Sequence, residues 1–359
     1  MTDAASTQNV FATVRPLVER PPTSDARVVL GMTVYNGAAH LTEALETVLA
    51  QEFEDFVLVI LDDASQDDSP EIIKRLIADR PNVHAYRNLE RKGMVGTWAD
   101  IFHLSRLIAP SHTYFGWCAD HDVLFPSWLG RLVEVLDQHP KTVVSYALAS
   151  LIDIGGKPMK KGLDPSKLSK SEAVGGTPFG RFIALQHRGR GFGNIIYGLM
   201  RSDALERVGV FRPVLVPDRL AVLELSLFGE VRCVPEVLRQ RRQTSAFSLE
   251  RQKRSLFPPG RPPPWIHVPH FVVHSAVTFR AYQHPDARPP GVTAVQVWLM
   301  SLDLIIFQLW RQSFDIIKKH RKHARARSRL AKAAQAQEKV PKPPKPAPES
   351  EGSSPATPT

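Results

Sequence analysis

Cysteine is scarce in this 359-residue chain: there are two, Cys118 and Cys233. Each lies in an apolar, strand-like run, so they read as buried thiols, not as a disulfide framework or a metal pair, and they suit a reducing compartment. No Gly-x-Gly-x-x-Gly follows the first apolar strand. The residues there are Val34-Tyr35-Asn36-Gly37-Ala38-Ala39, which argues against a dinucleotide-binding dehydrogenase. Met1 to Arg20 has no apolar run and mixes acids with polar residues, so a secretory signal is not expected. Internal repeats are absent. Hydrophobic content of 43% and charged content of 23% are ordinary for a globular protein, and the length allows one large domain or two modest ones.

Acidic balance is also missing, but only locally. The formal net charge is +10. Between Lys318 and Lys345 there are eleven Lys and Arg against one acid, Glu338, and Glu349 and Glu351 follow. The body, residues 1–317, is left with only about +2. The basicity belongs to a C-terminal tail.

In the body, apolar strands alternate with amphipathic helices. Strands are expected at 27–34, 56–61, 83–87 and from Tyr114 to Asp120, with helices at 38–50, from Ser69-Pro70, and at 95–107. This spacing predicts a doubly wound α/β layout with a mostly parallel sheet. Three of the strands end in polar loops: Thr33-Val34-Tyr35-Asn36, Asp62-Asp63-Ala64-Ser65 and Asp120-His121-Asp122. Ligands in such sheets collect beyond the carboxyl ends of the strands, so all three loops should share one edge. Two nearby carboxylates such as Asp120 and Asp122 repel unless a cation lies between them, and hard oxygen ligands suit Mg²⁺ or Mn²⁺. The structural alternative is an Asx turn before the helix that opens near Pro126-Ser127-Trp128. For Asp62 it is a turn beside a helix N-terminus.

With these residues in place, the stretch from about Val28 to Arg242 resembles the inverting nucleotide-sugar glycosyltransferases of family 2, which have the GT-A fold. The resemblance is carried by Val34-Tyr35-Asn36, Asp62-Asp63-Ala64-Ser65, Asp120-His121-Asp122, Asp218 before a Leu-rich helix, and Gly229-Glu230-Val231 leading to Val234-Pro235-Glu236. It implies a donor site in which Thr33, Tyr35 and Asn36 line the nucleotide pocket, and Asp63 accepts a hydrogen bond from the base. Asp120 contacts the ribose or the metal's water shell, Asp122 binds the divalent ion, and Arg91 or Lys92 reaches the phosphates. An inverting displacement also needs a general base, for which Asp218 is the candidate and Glu224 the fallback; Asp218 could instead be a simple helix cap. Two departures from the family stand out. Asp218 follows Pro217, not an acid. The run Arg239-Gln240-Arg241-Arg242-Gln243 has neither the Trp of processive synthases nor a following His, which favours transfer of a single sugar and leaves a second protein ligand to the metal in doubt.

The sequence therefore divides into a flexible leader (1–26), a GT-A domain (27–250), a proline-rich extension (251–291), an amphipathic helix with a basic segment (292–330) and a disordered tail (331–359). His267, His270 and His274 have no clean metal spacing and read as surface or packing residues. The helix stripe Trp298, Leu299, Leu302, Ile305, Ile306, Leu309, Trp310, Ile316, Ile317 is interrupted by Gln296, Asp303, Gln308 and Gln312, so it is not a span of about 20 apolar residues. Followed by basic residues, 292–332 suit an anionic membrane surface; packing on the same domain or on a second subunit is the other reading. The expected partners are a nucleotide-diphospho-sugar and a glycan or lipid-linked acceptor, with no nucleic acid. A homo-oligomer is left open. The expected location is cytoplasmic, on or near the membrane face. The rival functions are a nucleotidyltransferase and a non-catalytic membrane- or nucleic-acid-binding protein.

Overall fold

A computed structural model describes residues 10–22, 25–159, 173–188, 191–243 and 248–313. In chain order its strands are β1 (Val14–Pro16), β2 (Val28–Val34), β3 (Phe56–Asp62), β4 (Val83–Asn88), β5 (Tyr114–Ala119), β6 (Val123–Leu124), β7 (Thr142–Ile152), β8 (Ala173–Val174), β9 (Leu199–Arg201) and β10 (Glu230–Arg242). The helices used below are α1 (Ala38–Leu49), α2 (Ser69–Ile77), α3 (Gly93–Ile108), α4 (Trp128–Gln138), α5 (Pro178–Arg188), α6 (Phe192–Ile195), α7 (Ser202–Arg207), α8 (Pro217–Phe228), α9 (Leu249–Ser255), α10 (His270–Tyr282) and α11 (residues 294–313).

The strands form one sheet in the order β1-β4-β3-β2-β5-β9-β7-β10-β6, with β8 against β10. β4, β3, β2 and β5 are mutually parallel, and β7 is parallel to β10. β9 is antiparallel to both β5 and β7. Two reversals restore direction, so all six long strands run the same way and their carboxyl ends share one edge. The antiparallel members β1, β6, β8 and β9 are short pieces of two or three residues.

Strand β3 shows why this sheet is buried on both faces. All seven residues are buried. Phe56, Leu58 and Ile60 join one core with Leu41 and Leu45 of α1, Ile73 of α2 and Leu129 of α4. Val57, Val59 and Leu61 join the opposite core with Trp98 and Phe102 of α3, Phe182 of α5 and Leu223 of α8. Period-two alternation thus feeds two layers, and each buried aliphatic side chain contributes about 1.5–3 kcal/mol before ordering costs. Both cysteines are buried thiols outside any disulfide, and burial pushes the Cys118 thiol up to about 12.

Three local readings change. Val14–Pro16, within the expected leader, pairs with β4 as the edge strand β1; a proline is tolerated there because an edge strand has an unpaired side. The run Asn194–Met200, whose apolar residues read as a strand, begins inside the helix α6 and leaves only Leu199–Arg201 extended. The proline-rich stretch without an assigned fold contains α10, where His274 is buried with Nε2 2.7 Å from the Leu215 carbonyl. Burial lowers its pKa to about 3 against the pull of that carbonyl, so the ring is neutral. The expected basic segment and tail beyond residue 313 lie outside the described residues.

Candidate active site

The carboxyl edge of the sheet collects the polar loops. At the end of β2, Asn36 takes a left-handed turn (φ 50°), which Asn tolerates. Its backbone N–H donates to Ser65 Oγ (2.9 Å) and its Oδ1 accepts from Gln66 N–H (2.8 Å). Asn36 thereby ties the loop after β2 to the loop after β3.

Asp62 and Asp63 take different jobs. Asp62 is fully buried, accepts from Ser65 N–H at 3.1 Å and pairs with Arg87 at 3.2 Å; it closes the turn. Burial raises its pKa against those donors. Asp63 reaches across to the start of α3. Its Oδ1 accepts from Asn88 Nδ2 and Lys92 N–H, each at 2.8 Å, and its Oδ2 accepts from Gly93 N–H at 3.0 Å. A carboxylate on the first N–H groups of a helix is favoured by both hydrogen bonding and the helix dipole. Asp63 also lines a pocket of about 190 Å³.

That pocket is lined by Thr33, Tyr35, Asp63, Arg91, Asp120 and His121, with Trp98 and Tyr197 at its base. Trp98 stacks on Trp117 with ring centroids 5.2 Å apart and meets Tyr197 edge-on at 5.5 Å. Tyr35 is 39% exposed. The Arg91 guanidinium lies over its ring, 4.0 Å from the centroid, and its Nε is 3.9 Å from Asp63. Arg91 therefore stands at the Tyr35–Asp63 end of the pocket. Lys92 is engaged elsewhere, with Asp100 and with Thr13 Oγ1 at 2.7 Å.

Asp120 and Asp122 flank His121. Asp120 Oδ1 is 2.6 Å from His121 Nδ1. Its other oxygen rests against Gly37, where an added Cβ would come within 2.6 Å. Burial opposes a charged His121 ring, but the hydrogen bond to Asp120 and the charges of Asp120 and Asp122 prevail, and its pKa is raised. Asp122 is 4% exposed. Its Oδ1 accepts from Arg242 N–H at 2.9 Å, and its Oδ2 lies 3.7 Å from Arg239 Nη1. That Arg239 nitrogen is buried and has no hydrogen-bond partner among the described residues. The rest of the Arg239 guanidinium is held by Asn194 Oδ1 (2.6 Å) and the Tyr197 ring (4.8 Å). Arg242 donates to the His121 carbonyl at 3.0 Å and pairs with Glu43.

Helix α6 joins this cluster to Asp218. A Cβ on Gly193 would sit 3.7 Å from both Asp218 Oδ2 and Arg241 Nη1, so these two side chains border the same gap. Asp218 is the second residue of α8, after Val216 in a left-handed conformation (φ 54°). Burial raises its pKa, against the pull of the Arg219 and Asp218 N–H groups and of Arg241 and Arg219. Arg241 is exposed and also acts on His121. Glu224, the fallback base, is 1% exposed and holds Arg212 Nε with both oxygens, at 2.8 and 2.9 Å. A larger recess of about 640 Å³, lined in part by Arg212, Tyr282 and Arg288, contains none of the site carboxylates.

Six of the sequence-named residues, Thr33, Tyr35, Asp63, Arg91, Asp120 and, through His121, Asp122, thus meet at one end of the sheet, with Asp218 beyond Gly193. Residues 30–173 match the family described as Glycosyl transferase family 2. That segment, and the site within it, is similar to the family 2 glycosyltransferases. Among curated relatives, an uncharacterized glycosyltransferase of Rickettsia prowazekii is 26% identical over 128 residues, 33% of this chain and 35% of the relative. An uncharacterized protein of Mycobacterium tuberculosis is 34% identical over 114 residues, 31% and 32% of the two chains. The chain thus spans about a third of the length of these relatives. Among solved structures, S. aureus TarS in complex with UDP-GlcNAc superposes with a TM-score of 0.54 at 12% identity, covering 78% of this chain and 71% of that one. A Pyrobaculum calidifontis mannosyltransferase in complex with GDP-Man and Mn²⁺ gives 0.50 at 15% identity, covering 92% and 86%. At these identities the likeness is one of fold, and that fold is the GT-A-like layout expected from the sequence.

The candidate site also contains residues that sequence reasoning passed over. Trp98 and Tyr197 build the pocket floor, and Arg239 backs Asp122. Arg239 stood in a run of basic residues with no periodicity to single it out. His121 was in plain view between two aspartates, and that position was its only signal.

Proposed function

We propose that this protein is an inverting glycosyltransferase that moves one sugar from a nucleotide-diphospho-sugar to a glycan, lipid-linked or similar acceptor hydroxyl. The observation that carries the reading is the placement of a half-buried carboxylate, Asp218, across one glycine from a cation, Arg241, beside the Asp120-His121-Asp122 cluster. The donor's base lies in the pocket against Tyr35 and Arg91, with Asp63 Oδ2 accepting from it, and the diphosphate extends toward Asp120 and Asp122. Solved structures of similar fold hold UDP-GlcNAc and GDP-Man, which supports a donor of that class. Asn36 shapes this end of the pocket through its tie to Gln66.

The residues present fit a divalent ion. Asp122 Oδ2 lies 3.7 Å from Arg239 Nη1, which has no hydrogen-bond partner among the described residues, and Asp120 is the second carboxylate at hand. Carboxylates of this number, completed by substrate phosphates, are the usual Mg²⁺ or Mn²⁺ set. Such an ion, bound chiefly by Asp122, would supply positive charge for the departing diphosphate. The protein's own residues do the rest. Arg241 supplies a cation that acts on both Asp218 and His121. Asp218 takes the acceptor's proton as the acceptor oxygen bonds to the anomeric carbon and the bond to the diphosphate breaks. Its raised pKa makes it a stronger base than an ordinary aspartate. We place this chemistry in the cytoplasm, in the assembly of a polysaccharide or glycolipid.

The test is release of nucleoside diphosphate from a panel of UDP-, GDP- and dTDP-sugars, with the product anomer read by NMR. Inversion, with turnover lost in Asp218→Asn while donor binding persists, supports the reading. Retention of configuration, or release of pyrophosphate as a nucleotidyltransferase would give, overturns it.

A further inference from the structure

Helix α11 carries two apolar stripes, and only one of them packs. Val297, Met300 and Leu304 are 1%, 0% and 2% exposed and join the core beneath. Between them Ser301 Oγ donates to the Val297 carbonyl, and Asp303 meets His187 Nε2 at 2.8 Å. From residue 294 to Ile306 the exposed positions are Ala294, Val295, Trp298, Leu299, Leu302 and Ile306. Every one is apolar. Trp298 is 64% exposed, Val295 68% and Ile306 55%. A helix lying on a core ordinarily turns charged and polar residues outward; this one turns a second hydrophobic stripe outward. Trp298 does not fold back over the stripe but stands edge-on to Phe279 of α10, with ring centroids 5.8 Å apart.

The sequence that follows indicates what covers it. The run from Lys318 to Lys345 holds eleven Lys and Arg and one acid. A second copy of the chain docking by this stripe would bring two such runs together, and like charges repel. An anionic lipid surface offers apolar volume for the stripe and opposite charge for the run. Neither signal alone gives more than marginal binding, but an apolar helix face and a polybasic segment together do. Trp is the aromatic most at home at the headgroup level. Among the described residues no helix is long and apolar enough to cross a membrane, so the contact is one of surface.

We propose that the outward stripe of α11, centred on Trp298 and Leu302, docks on an anionic lipid surface, with residues 318–345 supplying the electrostatic attraction. The proposal does not depend on the catalytic reading, and its test needs no substrate.

The test is flotation of the full chain with vesicles of phosphatidylcholine alone and with about one-quarter phosphatidylglycerol, at low and at high salt. The expected result is co-flotation with the anionic vesicles, a drop of about tenfold or more in high salt or without the anionic lipid, and a blue-shifted Trp emission on binding. Leu302→Glu should cut the bound fraction by a similar factor while leaving the thermal unfolding temperature unchanged, since the packed stripe is untouched. If Leu302→Glu does not fold, Leu299→Glu serves in its place, and the lipid and salt comparisons on the native chain decide alone. Three results overturn the proposal: no co-flotation of the native chain, flotation indifferent to anionic lipid, or a stable dimer in light scattering that Leu302→Glu dissolves.

Discussion

Replacing Gly37 with Ala is a small change with a large expected effect. Gly37 has φ −97°, which alanine adopts freely, so the backbone is not strained. A Cβ at that position would lie 2.6 Å from Asp120 Oδ2 and 3.3 Å from its Cγ. The oxygen must retreat by about 0.4 Å to clear the overlap and by about 0.8 Å to reach ordinary contact. The carboxylate is the flexible partner, so it moves and the fold does not. Its movement strains the 2.6 Å bond to His121 Nδ1. A misplacement approaching 1 Å at a reacting site costs up to about 100-fold, so kcat/KM should fall about 10- to 100-fold, or roughly 1.4–2.7 kcal/mol. Stability should hold or rise slightly, because alanine restricts the unfolded chain by about 0.4–1 kcal/mol. The bond to Asp120 is one of the causes that raise the His121 pKa, so an NMR titration of His121 should shift down in the variant. Full activity with an unaltered His121 titration would refute the placement of Asp120 against Gly37.

Other consequences can be checked separately. Gly93→Ala should cost about 2 kcal/mol or more in urea unfolding, because Gly93 has φ 75° and its Cβ would lie within 2.6 Å of the Phe257 backbone; an unchanged midpoint would contradict the close approach of that segment to α3. Asp218→Asn should lower kcat by about 10²–10⁴-fold with donor affinity kept. In the native enzyme the acid limb of kcat/KM should lie above the usual aspartate range, since burial raises the Asp218 pKa and Arg241 pulls it down; Arg241→Ala should therefore move the limb to still higher pH. Glu224 is raised from 4.5 to about 7 by burial, against Arg212. The folded protein thus holds this proton more tightly than the unfolded chain. The associated stability is full below pH 4.5 and is lost as pH rises through about 7, by up to about 3 kcal/mol. Glu224→Gln should flatten that slope in denaturation measured across this range.

The residues that could be placed from sequence were those whose environment is written into local pattern. Phe56 to Asp62 is apolar throughout because the strand is covered on both faces, and its end had to be a loop. Once six long strands run one way, Tyr35, Asp63 and Asp120 fall on one edge without further information. Arg239 and Asn194 were beyond such reasoning, because their pairing joins residues 45 positions apart and neither sits in a periodic run. The partition between Asp62 and Asp63 was likewise invisible: both end the same strand, and only the approach of Lys92 and Gly93 N–H groups decides which carboxylate faces the pocket. Helix α11 illustrates a different limit. Its apolar period was legible, but the residues named for it, Trp298, Leu299, Leu302 and Ile306, are mostly the exposed ones, while Val297, Met300 and Leu304 do the packing. A helical pattern locates stripes; it does not tell which of them meets the core.

The central claim is that the carboxyl edge of this sheet binds a nucleotide-diphospho-sugar through Asp122 and a divalent ion. Calorimetric titration of UDP, GDP and dTDP, each with and without Mn²⁺, into the native protein and Asp122→Ala tests it most directly. Binding of one nucleotide that requires Mn²⁺ and disappears in the variant is the predicted result. A folded protein that binds none of the three, or binds one equally well without the ion and without Asp122, would contradict it.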